Sequence, residues 1–178
     1  GKILPNFQSV ILDEAHNIEN VAGKHFGLRI SNSQIRFLLN RLYNPKTQKG
    51  ILAAHFENKT AEMIAQAHQA SDTFFDEVFN FSEAQKNSGG NGRVIKSNAF
   101  ANVLSGPLNK LANHIKNIAE EADDEQDRLE LTAYAGRCAE FAQTVDLFIR
   151  QEIPDYVYWV EASKRRWGNF AVVFSAPL

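Results

Sequence analysis

One cysteine in 178 residues, Cys138, leaves no intrachain disulfide framework and no Cys-only zinc or iron–sulfur site within this chain. No segment reaches the roughly 20 apolar residues that span a bilayer, and no signal-peptide pattern is present. The expected setting is therefore reduced and cytoplasmic, with no membrane partner. Nor is there an excess of charge of one sign: 19 basic residues face 21 acidic ones, for a formal net charge of -2. A nucleic-acid surface, if one exists, must be a local patch. His25, His55, His68 and His114 show no H-E-x-x-H or comparable ligand spacing, so no metal site is assigned to them. The phosphate-cradling pattern G-x-x-x-x-G-K-[ST] is missing too. Gly23-Lys24 imitates its end, but His25 follows, and Ile18 stands where the first glycine belongs.

The hydrophobic fraction of 44% is that of an ordinary globular domain with a real core. Val10-Ile11-Leu12 is short, β-branched and apolar, which predicts a buried strand. Asp13 to about Phe26 reads as a turn into a helix stopped by Gly27. Ser31 or Ser33 suits the cap of a second helix, with Ile35, Leu38, Leu39 and Leu42 on one face and Asn44-Pro45 beyond its end. After the polar loop Lys46 to Gly50, a helical stripe of Ile64, Ala67, Ser71, Phe74, Val78 and Phe81 runs to about Gln85. The glycine-rich run "KNSGGNGR" at 86–93 is a loop.

A further helix starts near Ser105-Gly106-Pro107, where proline is tolerated in the first turn, and carries Leu108, Leu111, Ile115, Ile118 and Ala122. The last helix covers about 126–151, with Leu131, Tyr134, Cys138, Phe141, Val145 and Phe148 along one stripe; Cys138 is expected in the core. "YVYWVEA" (156–162) and "FAVVFSA" (170–176) are β-like, and "SKRRWGN" between them makes a hairpin. Strand-like ends around a helical middle suggest a helical insertion rooted in a sheet.

Asp13 and Glu14 follow the first strand directly. Ligands of open α/β sheets bind beyond the carboxyl ends of the strands, and two acids there suit nucleotide hydrolysis. One acid would hold magnesium, usually through water, while its neighbour orients the attacking water. The competing assignment is a helix cap, with Asp13 capping and Glu14 in the first turn. The full tetrapeptide Asp13-Glu14-Ala15-His16 arises by chance in a chain of this length with probability of about 0.001. Its position after an apolar strand favours the functional assignment.

"VILDEAHNIENVA" resembles motif II, the Walker B element, of the DinG/XPD (Rad3-like) group of superfamily 2 DNA helicases: apolar strand, D-E-A-H, then Asn17, Ile18 and Glu19. "VYWVE" at 157–161 followed by "FSAPL" at 174–178 resembles the segment just before motif III in bacterial DinG-like proteins. The helices between occupy the place of that family's arch domain.

The resemblance implies a mainly α fold: a helical arch-type insertion domain on a small β root made of the N-terminal strand and the C-terminal hairpin. Residues 1–27 would be the edge of RecA-like helicase domain 1 with its DEAH box, 28–153 the arch, and 154–178 the hairpin returning to domain 1. It implies an ATP-dependent 5′–3′ DNA helicase in which the arch guides single-stranded DNA. Asp13 would serve Mg2+ through water, Glu14 the attacking water, and Ala15-His16 the coupling of nucleotide state to DNA. Walker A, any iron–sulfur cluster and the second motor half would lie outside this chain, in the remaining helicase domains of the same polypeptide.

Lys164, Arg165, Arg166 and Trp167 form the one dense basic–aromatic cluster, a candidate DNA contact whose alternative is a solvated hairpin tip. Lys86, Arg93 and Lys96 beside the glycine loop are weaker candidates. The acidic run "EEADDEQD" at 120–127 is expected to be a solvated helix junction. The rival reading of the whole is a stand-alone helical protein-interaction module without nucleotide chemistry. A small metal-dependent hydrolase is a third, lacking further ligands at recognisable spacing. The helicase reading predicts that the isolated 178-residue chain does not turn over ATP, since it has neither the phosphate loop nor a second motor domain. Hydrolysis above buffer by the purified chain, abolished in Glu14→Gln, would contradict it.

Overall fold

The computed structural model describes residues 28–55, 57–154, 156–164 and 170–176. Val10-Ile11-Leu12, the D-E-A-H tetrapeptide and the helix expected up to Phe26 lie outside the described residues. The described fold is mainly α with a small antiparallel sheet, as the patterning implies. Its order is β1 (Leu28–Ser31), α1 (Asn32–Leu42), a single 3-10 turn (Ile51–Ala53), α2 (Asn58–Asn87), α3 (Ser105–Glu121), α4 (Glu125–Arg150), β2 (Trp159–Lys164) and β3 (Phe170–Ala176).

The helix boundaries follow from local chemistry. The Ser31 hydroxyl accepts from the Gln34 amide at 3.3 Å, so Ser31 is the cap of α1. The helix expected straight after Gly50 begins only at Asn58. Leu52 is fully buried against α1, and the 3-10 turn is what points it inward. Gly50 makes that turn possible: at φ 152° a Cβ would sit 2.3 Å from the Leu42 carbonyl oxygen. Asp124 caps α4 by accepting from the Asp127 amide at 2.8 Å, and Gln151 ends it in the left-handed region. The acidic run lies at this exposed α3–α4 junction.

β1 is an element the sequence reading lacks. It pairs antiparallel with β3, Ile30 opposite Phe174, and β3 pairs antiparallel with β2, giving the order β1-β3-β2. Asn32 extends the β1 edge into α1. Its side-chain amide donates to the Phe170 carbonyl at 3.0 Å, and its oxygen accepts from the Val172 amide at 3.3 Å. β2 starts later than expected because residues 156–158 precede the ladder, with Tyr158 buried and packed edge-on against Phe148 at 5.4 Å. The outer edge of β2 is covered by the glycine loop: Val94 donates to the Tyr158 carbonyl at 2.8 Å, and Val160 to the Gly92 carbonyl at 2.9 Å. Gly92 has φ 89°, and a Cβ there would meet the Val160 oxygen at 2.5 Å.

The sheet lays Val160, Ala162, Val172, Phe174 and Ala176 against the helices. Phe174 is the centre of an aromatic cluster: Phe148 lies 4.0 Å away between ring centres, Phe74 5.5 Å, Phe100 6.0 Å and Phe75 6.1 Å. α3 and α4 form the most extensive helix pair, and Ser105 Oγ donates to the Ala142 carbonyl at 2.8 Å across it. Cys138 is fully buried there, and burial pushes its thiol up to about 12, so it is a core residue. No helix among the described residues is long and apolar enough to cross a membrane.

Truncating Phe174 empties the point where both terminal strands meet α2 and α4. Phe174→Ala should cost about 3–5 kcal/mol, read as a lower urea midpoint, whereas Phe37→Ala at an exposed site should change it little. Equal losses for the two would contradict the packing described.

Candidate functional site

Lys164 is the member of the basic–aromatic cluster among the described residues; Arg165, Arg166 and Trp167 lie outside them. Its position follows from the pleat. Lys164 shares the parity of Val160 and Ala162, so its side chain is directed toward the helices rather than away from them. It meets Glu83 in the last turns of α2, Nζ to Oε2 at 3.1 Å. Lys86 reaches the other oxygen of the same carboxylate at 3.0 Å and also donates to the Ala162 carbonyl at 2.6 Å.

Two basic candidates 78 positions apart in sequence (164 − 86) thus converge on one carboxylate. The group carries one net positive charge. Lys164 remains 74% exposed and so reachable by a phosphate, but one acid already partners it. Hydrogen bonds from Lys86, then from Lys164, hold the Glu83 carboxyl below the usual glutamate range.

The other flanking residues divide. Arg93 is exposed and bridges to Trp159 through the backbone, with its carbonyl accepting from the Gln85 side chain at 3.2 Å. Lys96 is exposed, and its carbonyl lies 3.4 Å from the Gln151 amide. Glu83, which organises the cluster, was missed by sequence reasoning. Its only signal was the Glu83–Lys86 spacing on a helix end.

The histidines sit apart from this cluster. His55 Nε2 is 2.9 Å from Asp127, tying the turn before α2 to the first turn of α4. His114 Nε2 shares a 2.8 Å hydrogen bond with the buried Thr60 hydroxyl, and burial, helped by Lys59, lowers its pKa. Both line a polar cleft of about 460 Å³ with Glu57 and Glu121. His68 has a buried Nε2 without a hydrogen-bond partner among the described residues. Burial lowers its pKa against the opposing pull of Asp72, with Arg36 adding to the lowering. Among the described residues, no group of three or more His, Cys, Asp and Glu side chains is arranged to hold a metal ion.

Asp13, Glu14, Ala15 and His16, the candidates for magnesium, water activation and coupling, lie outside the described residues. No family model matches the chain, and no curated protein matches it.

Glu83 gives a pH signature. A carboxyl whose folded pKa is depressed contributes stability that is fully present above its unfolded value and lost as the pH falls through the folded one. Urea unfolding between about pH 6 and pH 3 should therefore show a steeper acid-side loss for wild type than for Glu83→Gln, the usual glutamate value being about 4.3. Parallel curves would mean that the two lysines do not hold this carboxylate.

Proposed function

We propose that the chain carries the Walker B/DEAH box and the arch domain of a DinG-like ATP-dependent 5′–3′ DNA helicase. One observation carries this reading: Asp13-Glu14-Ala15-His16 directly follows Val10-Ile11-Leu12 and is itself followed by Asn17-Ile18-Glu19. A mainly helical body between strands is the kind of structure an arch on a β root calls for, and it supports the reading without deciding it. The partners are single-stranded DNA and the remaining helicase domains of the same polypeptide, and the compartment is the cytoplasm.

In this reading Glu14 orients and deprotonates the water that attacks the terminal phosphate of ATP. Asp13 would hold magnesium through water, where the ion would supply neutralisation of phosphate charge. His16, with Ala15, links the nucleotide site to the strand being moved. The arch guides that strand, and the basic residues from Lys164 onward offer phosphate contacts, with Glu83 as the internal competitor for Lys164.

The test uses the polypeptide that contains both motor domains. An acid that positions water acts in the transition state, whereas ATP is held by groups that Glu14→Gln leaves intact. Glu14→Gln should retain ATP binding while lowering turnover by about 100-fold or more, and unwinding should fall with it. Asp13→Asn should in addition weaken the magnesium dependence of ATP binding. Unwinding by Glu14→Gln at the wild-type rate would return Asp13-Glu14 to a helix cap.

A further inference from the structure

Phe37 does not belong to the buried face of α1. Ile35, Leu38, Leu39 and Leu42 are buried, while Phe37 is 69% exposed. It lines a groove of about 390 Å³ between α1 and α4, whose α4 wall includes Tyr134, Arg137, Glu140 and Phe141. Tyr134 and Phe141 are only partly buried, although they continue the stripe of Leu131, Cys138 and Val145. The Arg137 guanidinium lies over the Tyr134 ring, 5.1 Å from its centre. It has no carboxylate within ion-pair distance among the described residues, and Glu140, in the same wall, is not its partner.

Three aromatic side chains and a guanidinium with no carboxylate partner among the described residues share one groove and together select a ligand. The rings favour a planar face, and the guanidinium favours an anion beside that face. An apolar peptide would cover the rings and leave the cation without its counter-charge. A duplex presents phosphates but keeps its base faces stacked inside. A single strand offers both, base by base and phosphate by phosphate. The volume is near the lower end of small-ligand clefts, about 300–1,000 Å³, which suits a few planar rings better than a folded domain.

We propose that the α1–α4 groove is a base-stacking subsite for single-stranded nucleic acid. Phe37 and Phe141 supply ring faces, and Arg137, placed over Tyr134, supplies the charge for a phosphate. The inference deepens the helicase reading and rests on it for the choice of DNA over RNA. The subsite is separate from the Lys86–Glu83–Lys164 cluster, sharing no residue with it.

The experiment measures binding of a fluorescein-labelled oligothymidylate to the 178-residue chain by anisotropy, over a range of salt. An abasic strand of the same length serves as the comparison. Phe37→Ala and Arg137→Gln change exposed side chains, and circular dichroism with a urea midpoint verifies that each variant is folded. Phe37→Ala should weaken oligothymidylate binding at least about fivefold, the loss expected for one stacked base, and leave the abasic strand unaffected. Arg137→Gln should lower the log–log salt slope by about 0.7.

Wild-type affinity in both variants would overturn the subsite while leaving the helicase reading in place, with DNA held elsewhere. Failure of the wild-type chain to bind oligothymidylate at low salt would also overturn it, as would capture of an apolar helical peptide in the groove instead. The helicase reading would then stand or fall separately on nucleotide turnover by Glu14→Gln.

Discussion

Burial of Phe174 is the constraint on which the described structure depends. Its ring touches Phe74 and Phe75 on α2, Phe100 in the segment between α2 and α3, and Phe148 on α4. Its backbone lies opposite Ile30 on one side and Val160 on the other. One side chain near the end of the chain is therefore held by residues drawn from most of its length. A three-stranded sheet of short strands is weak alone, and the aromatic cluster fastens it to the helices. Chain segments around Leu28 and Ala176 become neighbours as a result.

The same attachment fixes the basic group. With β3 pinned, β2 is held in register, and Lys164 falls on the side that faces the end of α2. Lys86 then binds the Ala162 carbonyl, and Gln85 accepts from the Gly92 amide at 3.1 Å. The last turns of α2 thus clamp both the glycine loop and the hairpin root. A loop rich in glycine would otherwise forfeit much conformational entropy on ordering. The clamp, not the loop's composition, keeps Gly92 close enough to pair with Val160.

Most helices were legible because their apolar stripes repeat at helical spacing. The face Leu108, Leu111, Ile115 and the Ser31 cap were readable for that reason. The start of α2 was not, because Ile51 and Leu52 extend its apolar pattern while a 3-10 turn places Leu52 under α1. β1 was not legible either: four residues, Leu28–Ser31, are too few to show an alternation, and their partners are far off in sequence, Val173 lying 142 positions from Ser31 (173 − 31) and Ala176 148 from Leu28 (176 − 28). The candidate site was half legible. Residue types flagged Lys164 and Lys86 separately; helical spacing brings Lys86 to Glu83, and only the pleat of β2 adds Lys164. Tyr134 and Phe141 fit a core stripe, and the exposed Phe37 opposite them reveals a groove instead.

In the proposed reading, Asp13-Glu14 is half of a nucleotide site whose other half lies in the same polypeptide. The sequence of the intact coding region tests this most directly. A helicase parent requires a G-x-x-x-x-G-K-[ST] loop encoded upstream of Gly1, following a strand and opening a helix. An initiator methionine immediately before Gly1, with no such loop anywhere in the reading frame, would contradict it.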